Sequence, residues 1–252
     1  MNLNDSTQSS EIKKRKLKLL LMKEQLWEET KAERFIPNRA QKPFMESKAR
    51  IRAFVAANKL GKSAAGAVLA WRYAKQGGKV LRIIGGLGFE RGVRDVIIPE
   101  MRKWIPKTRI IAEKLNSQGV VIRMTVKGDN GENSVFSFMS GEQEDQSFEG
   151  DIIDFAWIDE PVKKGIYTAT LRGLMMTNGP MILTLTPLKE PWIYNDIWSS
   201  TDKDIECFPG ELEDALKENG GHLDRASMES FVSKLTADEI DARVHGKFKH
   251  QR

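Results

Sequence analysis

Two short stretches of the 252-residue sequence carry residue types suited to handling a polyphosphate. The first is Ala56-Ala57-Asn58-Lys59-Leu60-Gly61-Lys62-Ser63. It matches the phosphate-loop pattern G-x-x-x-x-G-K-[ST] except at its first position, where Ala56 stands for glycine. Gly61 lets the backbone curl so that successive N–H groups face one centre. A helix starting near Lys62 aims the positive end of its dipole at the same centre. Lys62 can set an ammonium on the outer phosphates, and Ser63 can offer its hydroxyl to a magnesium ion that bridges them. The second stretch is Ile152-Ile153-Asp154-Phe155-Ala156-Trp157-Ile158-Asp159-Glu160-Pro161, an apolar run that ends in two carboxylates. At the carboxyl edge of a parallel sheet, Asp159 would lie beside the loop and hold magnesium, directly or through water. Glu160 would be placed to polarise a water for attack on the outermost phosphate. Each stretch also has a plainer reading: a helix start that carries Gly and Lys, and a buried strand capped by acids. Their joint occurrence favours a nucleotide site.

The surrounding pattern supplies elements to position these groups. Ile51-Arg52-Ala53-Phe54-Val55 reads as a strand entering the loop, and Lys62 to Gln76 as a helix stopped by Gly77-Gly78. Val80 to Ile84 reads as a buried strand. Gly85-Gly86-Leu87-Gly88 after it reads as a sharp turn, or as a second phosphate cradle. Glu90 to Trp104 reads as a helix with a break at Pro99. Val120–Val126 and Val135–Phe138 alternate like a hairpin around Gly128-Asp129-Asn130-Gly131, inserted in the main sheet or at its edge. Residues 162–176 read as a helix. Met181-Ile182-Leu183-Thr184-Leu185-Thr186-Pro187 reads as a strand whose hydroxyls, Thr184 and Thr186, can sense a terminal phosphate. Residues 204–208 form one more candidate strand. Thr236 opens a helix with Glu239 at the capping-box position. Alternating strands and helices give an α/β fold, a doubly wound, mostly parallel sheet with helices on both faces.

Outside this core the sequence says less. Residues 1–10 are polar, which predicts a disordered tail, and Glu11 to Lys31 reads as a helix. Its run Lys13-Lys14-Arg15-Lys16 is a solvated face or a nucleic-acid contact. Pro37 and Pro43 bracket a turn-rich segment that holds Gln41. The Gln41 amide pairs a donor with an acceptor, as the Hoogsteen edge of adenine requires. Trp192, Tyr194 and Trp198, near Lys189, either pack under a loop or stack on bases. Net charge is +5, which permits a polyanionic partner without demanding one. The single cysteine, Cys207, excludes a disulfide within the chain, and the three histidines are scattered late. No apolar run approaches the length of a membrane span.

Taken in order, several of these residues resemble the large terminase subunit of tailed bacteriophages. They are Pro37-Asn38, Gln41, the loop Asn58 to Ser63, the run into Asp159-Glu160-Pro161, Leu183 to Lys189 followed by Trp192 and Tyr194, and the closing Ala242-Arg243-Val244-His245-Gly246-Lys247-Phe248. The resemblance implies an additional-strand P-loop ATPase of RecA-like type that drives double-stranded DNA into an empty capsid, with ATP and Mg2+ as its cofactors. It implies nucleotide contacts from Gln41, Ala57, Asn58, Lys59, Leu60, Gly61, Lys62, Ser63 and Ala64. Magnesium would sit on Ser63 and Asp159, catalysis would fall to Glu160 and Lys62, and coupling of hydrolysis to DNA movement to Thr184 and Thr186. The implied partners are DNA, a portal protein, a small terminase subunit and further copies in a ring on the capsid, in the host cytoplasm and away from any membrane. The implied divisions are a tail and helix over 1–34, an ATPase core over 35–208 and a helical lid or linker over 209–252.

Two departures accompany the resemblance. The family often carries an arginine early in the phosphate loop, whereas the only basic residue between Ala56 and Gly61 here is Lys59, so the expected alternative is an arginine from a neighbouring subunit that the sequence does not single out. The family also continues into an acidic nuclease, and no nuclease activity is expected of these residues. Two other functions fit parts of the pattern: a helicase-type DNA translocase using the same nucleotide site, and a non-enzymatic assembly adaptor with a relic pocket.

Overall fold

The computed structural model describes residues 3–187 and 190–248. Leu188, Lys189 and His250 therefore lie outside the described residues. An eight-stranded sheet organises the chain, in the order β3-β4-β5-β2-β6-β7-β1-β8. The strands are β1 (Ile51–Ala56), β2 (Val80–Gly85), β3 (Ile110–Leu115), β4 (Val121–Lys127), β5 (Asn133–Ser140), β6 (Phe155–Asp159), β7 (Met181–Leu185) and β8 (Ile205–Gly210). Six of them, from β5 through β8, run parallel, and β4 and β3 extend the sheet antiparallel. The helices are α1 (Leu3–Glu29), α2 (Gln41–Glu46), α3 (Lys62–Ala74), α4 (Ile98–Trp104), α5 (Lys164–Leu174), the single turn α6 (Pro191–Ile193), α7 (Arg225–Val232) and α8 (Ala237–Arg243).

The parallel strands are apolar on both faces, as a sheet covered on both sides requires. Along β1, Phe54 and Ala56 join the core under α3, while Ile51, Ala53 and Val55 join the opposite core under α5. Trp157 and Ile182 belong to the α3 side, and Ile158 and Leu183 to the other. Gly66 lets α3 lie close to the sheet: a Cβ there would fall inside the Trp157 indole. A mid-helix glycine costs about 1 kcal/mol relative to alanine, so the close approach is what offsets it.

The order of the central strands matters most for the site. β7 lies between β1, which feeds the loop, and β6, which ends in the acids. This is the inserted strand that an additional-strand fold requires, and it brings Thr184 and Thr186 between the two motifs.

Several local expectations change. Leu3–Ser10 is helical and continuous with α1, not a disordered tail. Of the turn-rich segment bracketed by Pro37 and Pro43, residues 37–40 are non-helical and Gln41–Pro43 is the first turn of α2, where proline's missing N–H is not needed. The helix expected over 90–104 with a break at Pro99 does change beside that proline, but its first half, Phe89 to Ile97, is π-helical and only Ile98 to Trp104 is α-helical. The expected hairpin is β4–β5, at the antiparallel edge of the main sheet, where β5 pairs with β2 in parallel and β3 extends the edge by one more strand. β3 and α7 were not expected. β3 is largely exposed, and its sequence Ile-Ile-Ala-Glu-Lys-Leu lacks clean alternation.

Candidate active site

The loop between β1 and α3 curls through two left-handed residues, Lys59 (φ +61°) and Gly61 (φ +76°). Gly61 is required twice over: its φ suits glycine, and a Cβ would stand 2.6 Å from Gln41 Nε2. The side of the loop is clamped by α2. Gln41 Nε2 donates to the Gly61 carbonyl at 2.8 Å, and Asn38 Nδ2 donates to the Leu60 carbonyl at 3.2 Å. Asn38 and Gln41 also bond each other's backbone N–H through their side-chain oxygens, both at 2.9 Å. Gln41 thus spends one donor and one acceptor holding the loop; one N–H remains to face the cleft it lines.

The loop's first two amides are also engaged. Ala57 N–H donates to the Gly210 carbonyl at 2.9 Å, and Asn58 N–H to the Arg243 carbonyl at 3.2 Å. Ala57 and Asn58 therefore do not turn their N–H groups toward a phosphate; the groups left for that purpose come from Lys59 onward. Ala57 also packs into a small apolar cluster with Leu212, Leu216, Met228 and Val244, which seats the C-terminal helices on the loop.

The acids meet the loop from β6. Ser63 Oγ lies 2.9 and 3.1 Å from the two carboxylate oxygens of Asp159, across 96 residues of sequence. Asp159 also accepts from Thr184 Oγ1 at 2.6 Å, and Thr184 in turn accepts from Trp157 Nε1 at 2.7 Å. Glu160 would point to the opposite face if the strand continued. It instead takes φ +70°, an uncommon backbone for a side-chain-bearing residue, and its carboxylate ends 3.9 Å from Lys62 Nζ. Thr186 holds that carboxylate twice, by its N–H and by its hydroxyl, each at 2.9 Å. Asn58 Oδ1 lies 3.2 Å from the same hydroxyl. A hydroxyl has one proton, and the charged carboxylate takes it. With its amide turned so that Nδ2 donates, Asn58 completes a chain from loop to Thr186 to Glu160.

Electrostatics follow from this burial. Lys62 donates to the carbonyls of Ala56 (3.1 Å) and Ala57 (2.8 Å). Burial holds its pKa down, opposed by the charges of Glu160 and Asp159. Burial, with the like charge of Glu160, pushes the Asp159 carboxyl up to about 7, against the pull of Thr184, Ser63 and Lys62. A buried acid beside a second acid suits a divalent cation. The donors present, one hydroxyl and one carboxylate, fit magnesium, which keeps waters and takes phosphate oxygens rather than an all-protein cage. Among the described residues there is no cluster of three or more His, Cys, Asp or Glu that would form such a cage. In front of these groups opens a cleft of about 1000 Å³. Gln41, Lys62, Ser63 and Glu160 line one wall, Arg91, Lys103 and Trp104 another, and His222 the rim.

The sequence of residues 53–250 matches the family described as "Terminase large subunit, T4likevirus-type, N-terminal". The chain belongs to this terminase family. Its fold is similar to that of the Thermus phage P74-26 large terminase ATPase domain, at 17% identity and a TM-score of 0.67, over 87% of this chain and 96% of that one. It is also similar to the large terminase of a thermophilic bacteriophage solved with ADP, at 12% identity and a TM-score of 0.69, over 83% of this chain and 52% of that one. The latter protein solved with ATP-gamma-S gives 12% identity and a TM-score of 0.64. This terminase chain thus spans about half of that longer relative. No curated protein sequence matches it significantly.

The structure brings Gln41, Lys62, Ser63 and Glu160 onto the terminase cleft, with Asp159, Thr184 and Thr186 buried directly behind them. Sequence reasoning gave no site role to Asn38 or to Arg91, which it read only as part of a basic face, and did not anticipate the carbonyls of Gly210 and Arg243. Pro37-Asn38 beside Gln41 was the one available signal. Tyr194 and Trp198 pack on Phe248, and Trp192 donates to the Val162 carbonyl at 2.9 Å, so these rings serve packing.

Proposed function

We propose that this chain is the ATP-hydrolysing motor of a terminase that drives double-stranded DNA into a viral capsid. The observation that carries the reading is the meeting of Ser63 with Asp159, and of Lys62 with Glu160, at one end of the sheet. Membership of the terminase family and the nucleotide complexes of the thermophilic-phage relative support it. In this reading Lys59 to Ala64 and Gln41 hold ATP, and Lys62 leaves the loop carbonyls for the outer phosphates. Ser63 and Asp159 would hold magnesium, which neutralises phosphate charge when bound. Glu160 takes a proton from the attacking water as the γ-phosphorus–bridging oxygen bond breaks.

Thr184 fixes Asp159, and Thr186 fixes Glu160 until the loop moves; their place between the motifs makes β7 the element through which the phosphate state reaches the rest of the chain. In this reading 1–34 are an N-terminal tail and helix, 35–208 the ATPase core and 209–252 a helical lid or linker. The partners are DNA, a portal, a small terminase subunit and further copies of the chain, on a procapsid in the host cytoplasm. No helix among the described residues is long and apolar enough to cross a membrane.

Phosphate release from wild type and Glu160→Gln tests the site; equal rates would remove Glu160 from catalysis. DNA is gripped by phosphate contacts in a motor that must pass any sequence, so binding should fall steeply between 50 and 200 mM salt, by about tenfold or more. A salt-independent affinity would argue against the motor.

A further inference from the structure

The segment after β2 gives the cleft a cationic wall. Arg91, Val96, Glu100 and Lys103 line it, at spacings of five, four and three residues. Four and three are α-helical spacings; five is not. In an unbroken α-helix the residue one turn before Val96 on that face would be Gly92 or Val93. The chain is π-helical here, with hydrogen bonds from i to i+5. The wider turn brings Arg91 onto the cleft and leaves Gly92 and Val93 buried against the sheet. There they pack on Gly85, where a Cβ would stand 3.1 Å from Val93 Cγ2 and 3.2 Å from the Gly92 carbonyl carbon.

The same segment leaves the sheet beside the two acids. Gly85 is paired with Asp159, and Gly86 N–H donates to the Asp159 carbonyl at 2.8 Å. A Cβ at Gly86 would stand 2.5 Å from the Glu160 carbonyl oxygen. Arg91 and Glu160 line the same cleft. Among the described residues Arg91 makes no ion pair, and its charge acts only at longer range on Asp95, which Arg94 already holds. Its neighbours differ, with Arg94 taken by Glu90 and Asp95, Arg102 by Glu113, and Lys103 lying 3.9 Å from Glu100. The loop offers no arginine of its own, and Lys59 is exposed.

We propose that Arg91 acts in cis, setting its guanidinium on the terminal phosphate of the nucleotide held in the same chain. This rests on the nucleotide reading of the cleft. A planar five-donor cation suits phosphoryl oxygens. It takes up the charge that builds on them as the bond to the bridging oxygen breaks and the water oxygen bonds to phosphorus. The π turn is the device that aims it.

The test uses the full chain, with phosphate release and the binding of fluorescent ATP and ADP analogues as readouts. Arg91→Ala should cut turnover by about 10²-fold or more. It should weaken ATP binding, leave ADP binding unchanged and leave the thermal midpoint unchanged, since the residue is exposed. Arg91→Lys should restore part of the preference for ATP. An equal mixture of Arg91→Ala and Glu160→Gln chains should be no more active than the sum of the two, because each lacks a group of its own site. Recovered activity in that mixture would show the arginine reaching a neighbour's site and would overturn the proposal. Wild-type turnover and wild-type ATP preference in Arg91→Ala would also overturn it, leaving the nucleotide reading intact as long as Glu160→Gln is inactive. A wild-type chain that neither binds nor hydrolyses ATP would defeat the reading itself.

Discussion

Asp159 and Glu160 are consecutive, each is held by a threonine of β7 or the residue just past it, and their surroundings are opposite. Asp159 continues its strand, is 4% exposed, and shares a hydrogen-bond chain with Thr184 and Trp157. Glu160 turns out of the strand through a left-handed backbone and keeps its side chain 21% exposed at the cleft. The same carboxylate chemistry is thereby split into two tasks. Burial suits Asp159 to a cation that replaces the missing solvent, while exposure and a partner that can let go suit Glu160 to handle a proton. Environments that differ this much between adjacent acids are how one strand end serves two roles.

The largest expected effect separates the two acids by rate. Glu160→Gln keeps the shape and should lower phosphate release by about 10²–10⁴-fold while nucleotide binding survives. Binding lost together with rate would place Glu160 with Asp159 as a structural acid and erase the distinction. Next comes stability against pH. Native Asp159 titrates near 7, well above the usual carboxylate range, so the folded state holds that proton more tightly than the unfolded chain. Its contribution is therefore favourable in acid and is lost as pH rises toward and through 7. Metal-free wild type should weaken over that window by up to a few kcal/mol. Asp159→Asn should flatten the profile and be the more stable protein at pH 8, with hydrolysis gone. Urea midpoints from pH 5 to 8 measure this, and parallel profiles for the two proteins would contradict it.

Smaller effects sharpen the threonine half of the comparison. Thr184→Val strands the buried Trp157 N–H and should cost about 1–3 kcal/mol, seen as a lowered thermal midpoint. Thr186→Val keeps its backbone bond to Glu160, so its stability cost should stay near about 1 kcal/mol or below, and its signature should be altered turnover. Equal stability losses would mean that the two threonines do the same job. Gly66→Ala, which presses on Trp157 under the site, should destabilise by about 1–3 kcal/mol despite alanine's better helix propensity.

The groups with strong local signatures were legible in the sequence. Gly61-Lys62-Ser63 after an apolar run, and Asp159-Glu160 after another, name both their chemistry and their place at strand ends. The inserted position of β7 followed only from resemblance, because strand order is a property of long-range pairing. The roles of Thr184 and Thr186 as separate holders of the two acids depend on register and on the turn at Glu160, which no spacing reveals. Gln41 was found for its amide, but its partners on the loop lie about twenty residues away in sequence. The π turn escaped because one extra residue per turn leaves Glu90 to Trp104 amphipathic enough to pass for an α-helix. β3 escaped because an exposed edge strand needs no apolar alternation.

The carbonyl of Gly210, at the end of β8, holds the first amide of the phosphate loop, and the carbonyl of Arg243, at the end of α8, holds the second. Gly246 fits there at φ +60°, where a Cβ would stand 2.6 Å from the Gly210 oxygen and 3.0 Å from Ala57 N. The tail and the loop are therefore tethered as one mechanical piece. Deuterium uptake at the Ala57 and Asn58 amides, with and without nucleotide, measures whether that joint opens when the pocket is filled.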